Sequence, residues 1–126
     1  MAHKYEMRER VDELITHFWR NGYLTLSRKF GKYLPEPKPI GGYSVDAIGK
    51  FKKKYVIGLI LNENDIKDPQ TVAKLNFLAT RNTQNREVRV TLFLGIPAKM
   101  IYEASLLIDK TVPEAKNNIK IIPLPN

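Results

Sequence analysis

The chain contains no cysteine and only two histidines among its 126 residues. Without cysteine there can be no disulfide, no thiolate metal site and no cysteine nucleophile. His3 and His17 alone are too few for a typical zinc site. His17 lies among apolar residues at helical spacing, which favours a structural or surface role over a role in catalysis.

Long apolar runs and phosphate-binding glycine motifs are also missing. No apolar stretch approaches the ~20 residues needed to cross a bilayer, and residues 1–10 are charged and have no apolar signal segment. No P-loop and no dinucleotide-binding glycine pattern occurs, and Gly41-Gly42 predicts a flexible turn. We therefore expect a soluble cytoplasmic protein that makes no membrane contact.

Positive charge is in excess. The 21 Lys and Arg against 13 Asp and Glu give a formal net charge of +8. Such a balance favours polyanionic partners such as nucleic acid, although many basic proteins are merely soluble. The hydrophobic fraction of 43% is that of an ordinary globular protein, and the length predicts one domain over residues 1–126.

The spacing of apolar residues predicts an α/β domain whose elements run α-β-β-β-α-β-α-β around a mixed sheet. The predicted helices cover 4–20, about 68–81 with Asp68-Pro69 at the start, and 101–108; the predicted strands cover 23–27, 43–51, 55–61, 87–94 and 118–122. Lys52-Lys53-Lys54 predicts an antiparallel hairpin with a basic tip. Strands that alternate with helices after Tyr55 predict parallel pairing of the last three strands.

Three segments carry the strongest functional signal. RERVDELITHFWRNGYLTLSR (8–28) joins a carboxylate-bearing helix to a strand through a glycine-aromatic break, GGYSVDAIG (41–49) carries an acidic residue, and KKKYVIGLILNEND (52–65) contains an apolar strand. Over roughly residues 5–95 this arrangement resembles the PD-(D/E)XK nuclease superfamily, and within it the archaeal Holliday-junction resolvases. The resemblance implies a restriction-endonuclease-like fold and a nucleic-acid partner, most simply DNA.

The resemblance also implies a magnesium site at Asp46. In the family, an Asp at the start of the second strand and an E-x-K pair on the third bind one or two Mg²⁺, which polarise the scissile phosphate and activate water. A two-residue turn at Lys52-Lys53 places Asp46 opposite Leu59, so the E-x-K positions are Leu59 and Leu61. Leucine cannot coordinate magnesium, and two alternate leucines indicate an apolar core.

Other carboxylates could complete a metal site with Asp46. One alternative is migration of the ligands to the end of the third strand, at Asn62, Glu63 or Asp65, where turn and cap roles are the ordinary interpretation. The other alternative is the first helix, through Glu9 and Glu13, where a solvated helix face is the ordinary interpretation.

Gln70 and Lys74 open the second helix, where related nucleases often place a Gln followed one turn later by a Lys. A Gln in a first helical turn is also simply a good helix former. The resemblance therefore makes Gln70 and Lys74 candidate catalytic residues together with Asp46 and Glu63.

Basic residues gather in three groups, interleaved with Phe30, Tyr33, Phe51 and Tyr55. The groups are Arg28, Lys29 and Lys32 after the first strand; Lys50 with Lys52, Lys53 and Lys54 at the hairpin; and Arg81, Arg86 and Arg89. In the fold that the resemblance implies, the first two groups flank the substrate groove, so phosphate contacts are expected there. The alternative is a solvated rim.

Together these observations predict a nucleic-acid-binding protein of nuclease-like fold whose metal site is degenerate. A first alternative is an active Mg²⁺-dependent endonuclease or junction resolvase that uses Asp46 with a migrated carboxylate. A second is a protein-interaction module on the same fold. A homodimer is a further expectation, because nucleases of this kind often pair to address two strands.

Overall fold

Residues 4–81 and 90–125 are described by a computed structural model of the chain. They form a mixed sheet with helices on both faces, and the predicted α/β class is confirmed. The strands are β1 (Leu24–Arg28), β2 (Ala47–Phe51), β3 (Lys54–Ile60), β4 (Thr91–Pro97) and β5 (Ile119–Leu124). The helices are α1 (Lys4–Arg20), α2 (Glu63–Lys67), α3 (Thr71–Ala79), α4 (Ile101–Ile108) and α5 (Pro113–Lys116), and a 3₁₀ turn over Ala98–Met100 precedes α4.

The strands lie in the sheet in chain order. β1, β2 and β3 pair antiparallel, whereas β4 is parallel to both β3 and β5, as predicted. Arg28 pairs with Ala47 and Ala47 with Gly58. The carboxyl ends of β1, β3, β4 and β5 therefore meet the amino end of β2 at one edge, which we call the carboxyl edge. The β2–β3 turn lies at the opposite edge, which we call the hairpin edge.

The hairpin has the register that the sequence predicts. Phe51 pairs with Lys54, so Lys52 and Lys53 form a two-residue turn. Lys52 adopts a φ of 55°, and positive φ angles are typical of the tight turns that match the twist of the two strands. Because this register is fixed, Asp46, the residue before Ala47, lies opposite Leu59.

The helix α1 covers one face of the sheet and spans the predicted residues. Val11, Leu14 and Phe18 recur at helical spacing and are fully buried. A Cβ on Gly58 would lie 2.7 Å from Leu14 Cδ2, so the helix approaches β3 closely where no side chain intervenes. The chain leaves α1 at Gly22, whose φ of +85° is a conformation that glycine adopts readily.

The helices α3, α4 and α5 cover the other face. Leu75 and Leu78 of α3 and Leu107 of α4 are buried in one cluster with residues of β3 and β4, including Leu59 and Leu94. The sheet is thus buried on both faces at β3 and β4, which explains the continuously apolar sequence of those strands. In the described ranges no helix is both long and apolar enough to cross a membrane.

Two short helices were not predicted from the sequence. α2 has five residues and α5 has four, which is too short to show a helical repeat of apolar residues. The predicted helix over 68–81 is shorter than expected, because the regular α3 begins at Thr71 and ends at Ala79. Asp68 Oδ1 nevertheless accepts the Gln70 N–H at 2.9 Å and so stabilises the turn that leads into α3.

Strand boundaries also differ from the predictions. β2 begins at Ala47 rather than at residue 43. β4 continues to Pro97, and of its predicted range residues 87–89 lie outside the described residues. β5 continues through Pro123, which was expected to end it. β5 is an edge strand, where a residue without an N–H is tolerated.

Candidate functional site at the carboxyl edge

Asp46 lies at the carboxyl edge immediately before β2 and is only 5% exposed. Its main-chain N–H donates to the Gly58 carbonyl at 2.9 Å. Its side-chain Oδ2 accepts the Ile60 N–H at 2.7 Å. These two bonds continue the β2–β3 pairing past Ala47, the first residue of β2. The predicted position of Asp46 opposite Leu59 agrees with this register.

Two lysines act on Asp46, and one of them also interacts with a second carboxylate. Lys29 Nζ lies 3.5 Å from Asp46 Oδ1, and the Lys29 main-chain N–H donates to the Asp46 carbonyl at 2.9 Å. Lys74 of α3 is partly buried and interacts electrostatically with both Asp46 and Asp65. We call Lys29, Asp46, Asp65 and Lys74 the carboxyl-edge cluster.

The cluster displaces the pKa values of two of its members. Burial raises the pKa of Asp46, against the opposing effects of the Ile60 N–H, Lys29 and Lys74. Burial lowers the pKa of Lys74; Asp46 and Asp65 oppose this shift, and Lys29 adds to it. A carboxyl group with a raised pKa beside an amine with a lowered pKa is typical of sites that transfer protons or bind charged ligands. Structural ion pairs also produce such shifts.

The two positions at which the resemblance predicts an E-x-K pair are apolar and buried. Leu59 and Leu61 are each 2% exposed and belong to the core cluster beneath α3 and α4. The prediction that these leucines fill the core is confirmed. Buried leucines therefore occupy the positions at which the resemblance predicts a second carboxylate and a lysine.

The carboxylates at the end of β3 serve mainly α2. Asn62 Oδ1 accepts the Asp65 N–H at 2.9 Å, and Asp65 Oδ2 accepts the Asn62 N–H at 3.0 Å, which is a capping box. Glu63 is exposed and its Oε1 lies 2.9 Å from Lys67 Nζ. The hydrogen bond from Lys67 lowers the pKa of Glu63. The cap interpretation therefore holds for Asn62 and Asp65, and Glu63 has a lysine partner of its own.

The carboxylates of α1 lie in a different setting. α1 packs on the sheet face where a Cβ on Gly58 would lie. Lys74 of the cluster belongs to α3, which packs on the opposite face. Glu9 and Glu13 line a surface groove of about 610 Å³ together with Glu6, Arg10 and Pro125. Glu13 Oε1 also lies 3.8 Å from His17 Nε2. The structure therefore does not bring Glu9 and Glu13 into the carboxyl-edge cluster.

No three His, Cys, Asp or Glu side chains within residues 4–81 and 90–125 are arranged to hold a metal ion. Of the predicted pair on the second helix, Lys74 belongs to the cluster. Gln70 is exposed at the entrance to α3 and makes no side-chain capping bond there. The predicted site residues are thus divided: Asp46, Lys74 and Asp65 interact electrostatically, whereas Glu9, Glu13, Glu63 and Gln70 do not belong to this cluster.

The two predicted basic groups do not flank one groove. Arg28, Lys29 and Lys32 lie at or beyond the carboxyl end of β1, whereas Lys52–Lys54 lie at the hairpin edge. The ends of the five-residue β2 are about 13 Å apart at the rise of a strand. Arg28 is also engaged, because its Nη2 lies 2.6 Å from Asp12 Oδ1. The register therefore shows that the expectation of two basic groups flanking one groove is wrong.

The formal positive charge is concentrated in two segments of the chain. Residues 14–35 and 47–62 contain eight Lys and Arg and no Asp or Glu. Elsewhere in the chain thirteen Lys and Arg match thirteen Asp and Glu, so these two segments carry the whole formal charge of +8. They cover the end of α1 and the turn after it, β1 with the first part of the β1–β2 connection, and the β2–β3 hairpin; we call these segments the basic side.

Chemically, the carboxyl-edge cluster presents two ammonium groups beside a buried carboxylate and a second carboxylate on α2. Ammonium groups bind the oxygens of phosphate, and one or two carboxylates together with substrate phosphates are a typical Mg²⁺ environment. The chain matches no protein-family model, no curated protein and no solved structure. The function of this cluster must therefore be inferred from its own geometry and charge.

Proposed function

We propose that the protein binds nucleic acid through its basic side, on a restriction-endonuclease-like domain whose metal site is degenerate. The concentration of the entire net charge of +8 in residues 14–35 and 47–62 supports this proposal. A sheet of three antiparallel strands followed by two parallel ones is compatible with the proposed fold. Affinity would come from phosphate contacts and the release of counterions, without recognition of sequence.

The cluster favours binding over cleavage. The buried carboxylate of Asp46 accepts the Ile60 N–H and has Lys29 as its charged neighbour. The two family positions that would supply a second carboxylate and a lysine are the buried Leu59 and Leu61. A lysine ammonium beside Asp46 supplies positive charge where the family holds a metal ion, so phosphate binding here would not require Mg²⁺.

Salt dependence of binding tests this proposal. We expect the affinity for labelled duplex or branched DNA, measured by fluorescence anisotropy in EDTA, to fall steeply between about 50 and 200 mM salt. Lys29→Gln combined with Lys32→Gln should reduce the slope of log affinity against log salt by about 1.8. The matched control, Lys110→Gln with Lys120→Gln, changes the same charge outside the basic side.

Weak binding that salt does not change would contradict the proposal. An equal reduction of the salt slope in the control pair would show that binding depends on the total charge and not on where the lysines lie. Failure to bind both DNA and RNA would instead favour a protein-interaction module.

A second candidate function is Mg²⁺-dependent cleavage, which one observation favours. Lys74 interacts electrostatically with both Asp46 and Asp65, so the cluster combines carboxylates with lysine, the residue types that the nuclease family uses. Asp46 and Asp65 would hold the ion together with a substrate phosphate, and Lys74 would orient the attacking water.

Incubation of supercoiled and branched DNA with Mg²⁺ or Mn²⁺ tests cleavage. Cutting that is lost in Asp46→Asn and kept in Asp109→Asn, an exposed carboxylate paired with Lys116, would support the enzyme. The absence of cutting in both metals would exclude it under these conditions and leave the binding proposal intact.

A further inference from the structure

The hairpin edge carries exposed aromatic rings. Trp19, on the last turn of α1, is 77% exposed, and Phe51, the last residue of β2, is 43% exposed. The Gly22 N–H donates to the Trp19 carbonyl at 3.0 Å, and a Cβ on Gly22 would lie 3.8 Å from the Phe51 ring. The turn that ends α1 therefore rests against Phe51, so Trp19 and Phe51 belong to the two segments that meet where α1 joins the hairpin edge. We call Trp19 and Phe51 the aromatic patch.

Cations lie at the same edge as the aromatic patch, and one of them contacts Phe51. Lys52 Nζ lies 5.4 Å from the centroid of the Phe51 ring. Arg20, Lys53 and Lys54 are exposed at the same end of the molecule. The segments that contain these residues, 14–35 and 47–62, hold no carboxylate. The surface thus offers ring faces together with unopposed positive charge from its own segments.

This further step rests on the proposed function: we infer that the aromatic patch and its cations form a stacking platform for single-stranded nucleic acid. Bases would stack on Trp19 and Phe51, and the backbone phosphates would contact Arg20 and the hairpin lysines. Ring faces flanked by cations bind single strands with little sequence preference, because every base has a π face. The bases of a duplex are already stacked on one another, so a duplex would use the cations alone.

An anionic membrane surface also attracts lysine and aromatic side chains, but the fold argues against it. A membrane-surface helix needs a free apolar face. The apolar face of α1 is already used, since Val11, Leu14 and Phe18 are fully buried in the core. Besides the two rings, Leu24 at the start of β1 is 68% exposed at this edge. These few apolar groups among cations suit bases and phosphates better than acyl chains.

Trp19 makes the platform directly observable because it is the only tryptophan in the chain. We expect saturable quenching of its emission when an oligothymidylate of about 12 nucleotides is added, and likewise with oligouridylate. With labelled oligothymidylate, Phe51→Ala and Trp19→Ala should each weaken binding by about five- to tenfold. The matched control is Tyr102→Ala, which removes a 72% exposed ring from α4.

Charge substitutions test the phosphate contacts separately. Lys52→Gln with Lys53→Gln should reduce the salt slope for the single strand by about 1.4, and Lys110→Gln with Lys120→Gln should leave it unchanged. Phe51 packs against Gly22, so its variant must first show a wild-type thermal transition. Trp19→Ala, at a more exposed position, provides the same test if Phe51→Ala does not fold.

Several outcomes would overturn the inference. One is unchanged Trp19 emission with oligothymidylate and oligouridylate in a protein that binds duplex DNA; the proposed function would then survive and the platform would not. Another is an equal loss of single-strand affinity in Tyr102→Ala. A third is an emission shift only with vesicles of phosphatidylglycerol and phosphatidylcholine, which would identify a membrane surface. Loss of all nucleic-acid binding would remove the proposed function as well.

Discussion

Substitution of Asp46 by alanine and by asparagine separates the hydrogen bond of this side chain from its charge. Asp46→Ala removes the acceptor of the buried Ile60 N–H, which is held at 2.7 Å. A buried donor left without a partner costs about 1–3 kcal/mol. Asp46→Asn keeps an oxygen for that N–H and removes only the negative charge. We therefore expect the alanine variant to be clearly less stable than the asparagine variant at neutral pH.

The sign of the pH dependence follows from the raised pKa of Asp46, whose main cause is burial. Between the ordinary value of 3.8 and the raised pKa, the folded protein binds a proton that the unfolded chain has released. This contribution to the free energy of unfolding is fully present at low pH and is lost as the pH rises through that window. Asp46→Asn lacks the contribution, so its stability relative to wild type should improve from about pH 4 to about pH 8.

Urea denaturation followed by far-UV circular dichroism measures both effects. With a slope of about 2 kcal/mol per molar urea, a loss of 2 kcal/mol lowers the midpoint by about 1 M. Asp109→Asn, which breaks an exposed pair with Lys116, should change stability by no more than about 1 kcal/mol. The reasoning would be refuted if Asp46→Asn became less stable relative to wild type as the pH rose, because Lys29 and Lys74 would then outweigh burial.

Three further predictions concern the surroundings of Asp46. Lys74→Met should raise the pKa of Asp46 further, because it removes a positive charge that lowers this pKa. A ¹³C NMR titration of the carboxyl group measures the change, and a lower pKa would contradict the interaction between Lys74 and Asp46. Leu59→Glu, which places a carboxylate at a buried position opposite Asp46, should cost at least ~3 kcal/mol in urea denaturation, and a stable variant that cuts DNA would show the opposite. Gly58→Ala should cost about 1–3 kcal/mol, because its Cβ would lie 2.7 Å from Leu14; unchanged thermal stability would show that α1 can shift freely.

Local patterns in the sequence were sufficient for the main framework. The helical repeat that includes Val11, Leu14 and Phe18 predicted α1, and Gly22 marked its end. The Lys52-Lys53 turn fixed the register that sets Asp46 at the level of Leu59. These features depend on spacing along a short stretch of chain, where backbone geometry dictates which side chains share a face. Short helices such as α2 do not provide a repeat of that kind.

The candidate site was only partly predictable for the same reason. Asp46 and Lys74 were singled out by resemblance, but the ion pair between Lys29 and Asp46 joins residues that are 17 positions apart. The β1–β2 register brings them together, and no local pattern signals it. Asp65 was considered as a migrated ligand, and the structure shows it both capping α2 and acting on Lys74.

By itself the sequence determined the α/β class, the positive charge of the chain and the apolar residues at 59 and 61, because composition and side-chain periodicity are properties of the chain. Only the tertiary structure decided where the charges lie. The strand register separates the basic loop after β1 from the hairpin lysines, and the packing of α3 brings Lys74 to Asp46 while α1 places Glu9 and Glu13 elsewhere. Long-range pairing of backbone hydrogen bonds and burial of apolar faces set these distances, and neither can be obtained from the spacing of charges along the chain.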